Sequence, residues 1–171
     1  IKPLLDQLTS ENISFLVDKR DSYKPGYKFN EYEIKGVPIR LVIGPKDVAN
    51  SSVEIFRRDK MEKETIEFNE TKSKVLELIE DIQKNIFSKA LSFRDNNIRV
   101  VNDYDEFKTV IKHHGGFISA HWDGTQETEE KIKKETKATI RCIPFEKSPV
   151  EGKCIISGKL SKQRVLFAKA Y

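Results

Sequence analysis

Residues 20–47 combine the side chains that recognition of unpaired RNA bases requires. Aromatic rings stack on such bases, carboxylates accept hydrogen bonds from guanine N1–H and N2–H₂, and Arg or Lys donates to guanine O6 and N7. The stretch supplies all three types between tight turns, among them Phe29, Glu33, Arg40, Lys46 and Asp47. A purely electrostatic RNA binder would contain few acidic residues here. The composition of the stretch is therefore compatible with base-specific recognition.

A structural role is also compatible with these residues. Tyr27, Phe29 and Tyr32 can form the apolar face of a short helix. Arg40 and Glu33 can form a surface ion pair, which contributes about 0–1 kcal/mol. Residue spacing alone leaves both interpretations open.

Sequence motifs for catalysis are absent from the chain. It contains no GxxxxGK[ST] or GxGxxG phosphate loop, no G-x-S-x-G elbow and no H-E-x-x-H zinc helix. A small α/β enzyme using Glu33, Asp47 or Cys142 is disfavoured, because no nucleophile–base spacing accompanies them. The three histidines, His113, His114 and His121, have no partner at metal-ligand spacing and are predicted to be ordinary loop or strand residues.

Composition predicts a folded cytoplasmic protein. The 171 residues carry 31 basic and 27 acidic side chains, a net charge of +4, which permits nucleic-acid binding without demanding it. No apolar run is long enough to span a membrane, and no export signal opens the chain. The two cysteines cannot form a disulfide framework. Cys142 is expected to be a small buried hydrophobic residue.

Apolar spacing and turn residues predict the elements that position residues 20–47. The predicted elements are an opening helix ending near Asn12, a strand at 13–18, a helix at Lys28–Lys35 closed by Gly36, strands at 37–43 and 53–57, and a long helix at 69–91. The alternation indicates an α/β domain with a mixed sheet and flanking helices. Its first strand would precede Ile1, so we expect the parent protein to begin upstream.

The remaining residues predict a second, smaller α/β unit. Its elements are a helix at Tyr104–Lys112 capped by Asp103, a strand at 117–122, a helix at 125–136, a strand at 139–145, and a final strand pair at 153–156 and 165–168. The expected core residues are Phe117, Trp122, Ile140, Ile143, Val165 and Phe167. We predict a first domain over 1–98, which includes the long helix, and a second over 99–171.

Residues 20–47, together with the ending Arg164–Tyr171, resemble the C-terminal part of prolyl-tRNA synthetases of the eukaryote/archaeal-like type. The resemblance implies a class II synthetase anticodon-binding domain followed by a C-terminal extension. It further implies that Phe29 stacks on an anticodon base. The residues that would read the two guanines of the proline anticodon are Glu33, Arg40, Lys46 and Asp47.

The same resemblance implies further expectations. The carboxylate of Tyr171 would reach toward the active site of a catalytic domain that is not in this chain. The full-length protein would be a homodimer that activates proline with ATP and Mg²⁺ and transfers it to its tRNA partner. Alternatives are a sibling class II synthetase, or a non-catalytic RNA- or protein-binding α/β module whose basic residues are a solvated face.

The resemblance further implies that many relatives carry a zinc module with four cysteines, in two pairs, in the extension. The matching positions here are Asp123, Thr128, Cys154 and Ser157. Only one of them keeps a thiolate, and this set does not make a tetrahedral zinc site. We therefore expect no zinc and no other cofactor in this chain.

Overall fold

The computed structural model describes residues 1–145 and 151–170. The chain divides into two compact units, Ile1–Ala90 and Leu91–Tyr171. This division falls inside a helix, Thr71–Asn96, whereas the predicted boundary follows residue 98. Tyr171, which the resemblance singles out, lies outside the described residues.

The first unit is an antiparallel sheet with helices. Its elements are α1 (Lys2–Ser10), α2 (Pro25–Ile34), β1 (Ile39–Val42), α3 (Pro45–Ala49), β2 (Ser52–Arg57), β3 (Glu62–Glu67) and α4 (Thr71–Asn96), the last continuing beyond the unit. The strand order is β1-β2-β3, and both pairings are antiparallel. Asn12, with φ of 56°, follows α1 in the left-handed conformation that the sequence predicts for the end of this helix.

One face of the sheet packs against α4. Val53 and Ile55 of β2 are buried with Leu78 and Ile82 of α4, which share one helical face because their spacing is four. The predicted long helix is confirmed and extends to Asn96. Although α4 has 26 residues, neither it nor any other helix within 1–145 and 151–170 is apolar enough to cross a membrane.

Two strand predictions for this unit are wrong. Residues 13–18 pair with no strand in the described part of the chain, and Phe15, Leu16 and Val17 are exposed. Alternating apolar residues are not enough for a strand, which also requires a partner for its backbone groups. Conversely, β3 is absent from the prediction because its side chains are mostly charged and exposed, so it carries no apolar pattern.

The second unit is built on a mixed four-stranded sheet, so the predicted α/β class is confirmed. Its elements are β4 (Ile98–Val100), α5 (Tyr104–His113), β5 (Phe117–His121), α6 (Gln126–Thr136), β6 (Ala138–Cys142), β7 (Gly152–Lys153), β8 (Leu160–Ser161) and β9 (Arg164–Lys169). The strand order is β4-β5-β9-β6, with β4 and β5 parallel and the other pairings antiparallel. Asp103 caps α5 as predicted, because its carboxylate accepts hydrogen bonds from the backbone of Asp105 and Glu106.

Aromatic packing marks the core of this unit. Phe107 of α5 meets Phe167 of β9 edge to face, with ring centroids 5.3 Å apart, and both are fully buried. Val165 is buried as predicted, and Trp122 and Ile140 pack against the same cluster.

Three predictions for the second unit are wrong. The segment 165–168 does not pair with 153–156, because β9 lies between β5 and β6 while β7 pairs with β8. Phe117 and Ile143 are exposed, since one begins β5 and the other follows the end of β6. Cys142 is exposed rather than buried, because the pairing of β6 with β9 shifts register at the end of the strand.

An ion-pair cluster joins the β2–β3 turn of the first unit to α4. Arg57 donates to Asp59 through two nitrogens and to Asp81 at 2.6 Å, and Asn85 and Lys89 also donate to Asp59. The Asp59 side chain is only 2% exposed. Hydrogen bonds from Arg57 outweigh burial and hold the pKa of Asp59 well below its usual range.

We expect Asp59→Asn to destabilise the first unit by about 3 kcal/mol, because it leaves the buried Arg57 short of its partner. Hydrogen exchange of the β2 and β3 amides measures this without interference from the second unit. The pKa of Asp59 in the folded state lies below its unfolded value of about 3.9. The ionised carboxylate therefore contributes fully to the free energy of unfolding at neutral pH, and this contribution declines as the pH falls below about 4. Asp6→Asn, at an exposed carboxylate, is the control; equal protection in both variants would contradict the prediction.

Candidate nucleic-acid interface

Arg40 lies at the centre of the residues that the sequence singles out. It faces Phe56 across the β1–β2 pairing. Its guanidinium carbon is 3.9 Å from the ring centroid of Phe29 and 4.2 Å from that of Phe56. Its Nη1 donates a hydrogen bond of 2.6 Å to Glu33 Oε1. The cation is thus held between two rings and a carboxylate, with its side chain 17% exposed.

Helix α2 brings Phe29 and Glu33 to this point. Pro25 occupies the first turn of the helix, where its missing N–H costs nothing. Phe29 and Glu33 are four residues apart and therefore lie on one helical face. Gly36, with φ of 84°, follows the helix and adopts the left-handed conformation that lets the chain turn into β1.

The contacts of Arg40 leave hydrogen-bonding capacity unused. A guanidinium has five N–H donors, and Arg40 makes one side-chain hydrogen bond, to Glu33, within the described residues. Its Nε has no partner there. The predicted ion pair of the structural interpretation is therefore present, but it does not exhaust the donors of Arg40.

Lys46 and Asp47 lie at the other end of β1, in α3. The Asp47 carboxylate accepts a 2.8 Å hydrogen bond from the backbone N–H of Gly44 and faces Ser52 Oγ at 3.4 Å. It thereby closes the turn into α3. Lys46 is exposed and forms no ion pair within the residues that the structure describes. The structure thus brings Phe29 and Glu33 into contact with Arg40 and places Lys46 and Asp47 in α3, beyond the far end of β1.

A shallow cleft lies beside Asp47. Its volume is about 610 Å³, and its lining includes Asp47, Ser52 and Phe68. Polar and apolar groups therefore meet at the end of β1 where Lys46 emerges.

In the second unit, three of the four positions matched to zinc ligands meet around one carboxylate. Asp123 accepts hydrogen bonds from Thr128 Oγ1 at 2.7 Å, from Thr125 Oγ1 at 2.9 Å and from Ser157 Oγ at 2.6 Å. Burial raises the pKa of Asp123, but these hydrogen bonds outweigh it and leave the pKa well below its usual range. Cys154 is buried at the start of the turn that contains Ser157.

This arrangement does not fit zinc. The hydroxyl groups direct their hydrogens at the carboxylate, so its oxygens are already engaged by donors. Within 1–145 and 151–170, no group of three or more His, Cys, Asp and Glu side chains is placed to hold a metal ion. His121 is buried, and its Nδ1 lies 3.2 Å from Ser161 Oγ; burial lowers the pKa of its imidazole.

Comparison with known proteins decides the family. Residues 1–78 match the family described as "Anticodon binding domain", and residues 104–171 match "Prolyl-tRNA synthetase, C-terminal". Proteins named proline–tRNA ligase are 51% identical over 171 residues in Cytophaga hutchinsonii and 53% identical over 168 residues in Porphyromonas gingivalis. The chain corresponds to the C-terminal part of prolyl-tRNA synthetases.

The match covers nearly all of the chain but a minor part of the relatives. It includes 100% of this chain and 35% of the Cytophaga protein, and 98% and 34% for Porphyromonas. The chain therefore spans about a third of the length of the curated prolyl-tRNA synthetases that it matches.

Sequence reasoning missed two contributors to these sites. Phe56 covers the second side of Arg40, which becomes visible only once the register of β1 and β2 is known. Thr125 both caps α6 and donates to Asp123. A threonine followed by the acidic residues Glu127 and Glu129 marks Thr125 as a candidate cap in the sequence, but nothing there links it to Ser157.

We expect Asp123→Ala to loosen the β5–α6 corner and the 154–158 turn together, because both lose one shared acceptor. An unsatisfied hydroxyl costs about 1–3 kcal/mol where it is buried, as at Thr128, and less at the exposed Ser157. Hydrogen exchange resolved to these two segments measures the loss. Glu127→Ala, which changes an exposed residue in the first turn of α6, is the control. A loss of protection at the β5–α6 corner alone, with the 154–158 turn unchanged, would contradict the prediction.

Proposed function

We propose that this chain recognises the anticodon of proline tRNA. The observation that carries the proposal is the position of Arg40, held between Phe29 and Phe56 and paired with Glu33 while most of its donors remain unused. The family assignment supports it, because residues 1–78 match an anticodon-binding domain.

The chemistry of this cluster suits guanine. A fixed guanidinium donates to guanine O6 and N7, and a carboxylate beside it accepts from N1–H and N2–H₂. Glu33 then serves two purposes, since it orients Arg40 and presents an acceptor on the same surface. Phe29 offers stacking from the part of its ring that Arg40 leaves uncovered.

Lys46 and Asp47 extend the proposed interface along β1. The exposed ammonium of Lys46 is free to meet a guanine edge or a phosphate. Asp47 is held by Gly44 and Ser52, so its carboxylate has a defined position from which to accept a base N–H. Two separated sets of polar groups match the need to read two consecutive guanines.

For the full-length protein we propose the activity that the names of its relatives state, ligation of proline to its tRNA. Proline activation with ATP and Mg²⁺ would use residues outside this chain, and a dimeric cytoplasmic enzyme is part of the same proposal. Tyr171 is proposed to direct its carboxylate toward that catalytic domain. This chain by itself binds tRNA without catalysing a reaction.

The second unit is proposed to maintain its fold without zinc. Zinc analysis of the purified chain should give much less than one ion per chain, and EDTA should leave its melting temperature unchanged, because Asp123 and its hydroxyl donors take the place of a metal. A stoichiometric zinc content would disprove this.

The anticodon assignment predicts the behaviour of Arg40, Lys46 and Asp47 variants in filter binding of proline tRNA. Arg40→Ala should weaken binding by about ten- to hundredfold, since one good bidentate contact to guanine has this value. Arg40→Lys keeps the charge and should recover little, because lysine lacks the planar fork. Lys46→Ala should reduce the slope of log affinity against log salt concentration by about one, because one fewer counterion is released when the RNA binds.

Replacing the anticodon guanines by adenines provides the matching test on the RNA. The wild-type chain should bind the altered RNA more weakly than the natural one. The Arg40→Ala chain should bind the two RNAs with nearly equal affinity, because the contact is already lost. Lys134→Ala, an exposed lysine of the second unit, is the control. The assignment is wrong if Arg40→Ala and Asp47→Ala both bind with wild-type affinity at fixed salt, and salt-sensitive binding without guanine preference would indicate a solvated basic face instead.

A further inference from the structure

An exposed aromatic stack precedes and begins α2. The rings of Tyr23 and Tyr27 lie nearly parallel, with centroids 4.6 Å apart and planes 13° apart. Their side chains are not buried in either core, since the residues are 43% and 56% exposed. The guanidinium carbon of Arg20 lies 4.9 Å from the centroid of the Tyr23 ring. Arginine and the two rings thus form one stack on the surface.

An ion-pair network holds this stack in place. Arg20 donates to Asp18 through Nε and Nη2 and to Glu31 of α2 at 2.7 Å. The hydroxyl of Tyr32 also donates to Asp18, at 3.2 Å. Hydrogen bonds from Arg20 hold the pKa of Asp18 well below its usual range, so the network stays charged at neutral pH. The loop that carries Tyr23 is therefore fixed to the helix that carries Tyr27.

Folding does not account for these exposed rings. Tyr27 is the third residue of α2 and points away from the face that carries Phe29 and Glu33, because two residues correspond to about 200° of helical rotation. Neither tyrosine belongs to a core cluster within the described residues. Exposed aromatic surface of this kind marks an interaction site.

We infer that Tyr23 and Tyr27 form a stacking platform for an unpaired base of the bound RNA, outside the anticodon contacts. The inference rests on the proposed function. A flat, fixed aromatic pair suits a base because every base has a π-face, and such stacking tolerates different sequences. The platform lies at the start of α2, the helix that carries Phe29 and Glu33, but on a different side of it, so the base it holds is distinct from the one that meets Arg40.

Charge near the stack favours a nucleic acid over an apolar protein surface. Lys19 and Lys24 flank the tyrosines, are exposed and form no ion pair within the described residues. In contrast, Asp18 and Glu31 are already engaged by Arg20. Two ammonium groups without an ion pair are therefore close in sequence to the rings, against one exposed carboxylate at Asp21, and are available to a phosphate next to a stacked base.

The test measures the affinity of the chain for the anticodon stem-loop of proline tRNA by fluorescence anisotropy. Tyr27→Ala should weaken binding about tenfold without changing the slope of affinity against salt, because stacking carries no charge. Tyr27→Phe keeps the ring and should stay within about twofold of the wild type. Phe145→Ala, at an exposed ring of the second unit, is the control.

Abasic RNAs separate stacking from a merely structural role. Each unpaired loop nucleotide is replaced in turn by an abasic one. For one position the wild type should lose about tenfold while Tyr27→Ala loses nothing further, since the base and the ring are then coupled. If Tyr27→Ala lowers the melting temperature, Tyr27→Leu is used in the same series.

The outcomes distinguish this inference from the proposed function. If Arg40→Ala loses affinity but Tyr27→Ala binds as the wild type does, the platform is disproved and the anticodon site stands. An equal loss in Tyr27→Phe and Tyr27→Ala, or the absence of any coupled nucleotide, also overturns the platform. If the wild-type chain does not bind the stem-loop, both fail.

Discussion

The placement of one guanidinium group depends on three elements at once. Phe29 and Glu33 reach Arg40 from α2, and Phe56 reaches it from β2. A slip of one residue between β1 and β2 would turn Arg40 to the other face of the sheet and separate it from all three. The chemistry of the proposed interface therefore requires one strand register and one orientation of α2. Burial of Val53 and Ile55 in the core fixes that register.

In the proposed interface, rigidity is what would let the Arg40 cluster discriminate between bases. A free arginine on the surface meets any phosphate, so it adds affinity without specificity. Arg40 is confined between two rings, and its donors therefore face a limited range of directions. A base that lacks acceptors in those directions leaves desolvated donors unpaired, which costs more than a missing contact in water. Glu33 lowers the free-energy cost of confining Arg40 because its carboxylate compensates the charge of the guanidinium.

Local rules predict much of the fold, but they do not predict strand partners. The end of α2 at Gly36 and the cap of α5 at Asp103 follow from residues close in sequence, and the structure contains both. The position of β9 between β5 and β6 depends on residues far apart in the chain, and no periodicity encodes it. For the site, the spacing of Phe29 and Glu33 could be predicted. The second ring on Arg40, from Phe56, could not, because it depends on that same long-range pairing.

A carboxylate and a metal ion cross-link chain segments by different physics. A structural zinc ion binds deprotonated thiolates strongly enough to drive folding of the segments that carry them. Asp123 has no such independent strength, since each hydrogen bond contributes a net of about 1 kcal/mol. Its donors Thr125 and Thr128 are correctly placed only when α6 has formed, because both belong to the start of that helix. The contact from Ser157 therefore depends on a fold that packing such as that of Phe107 on Phe167 stabilises, whereas a structural metal would itself stabilise the segments that bind it.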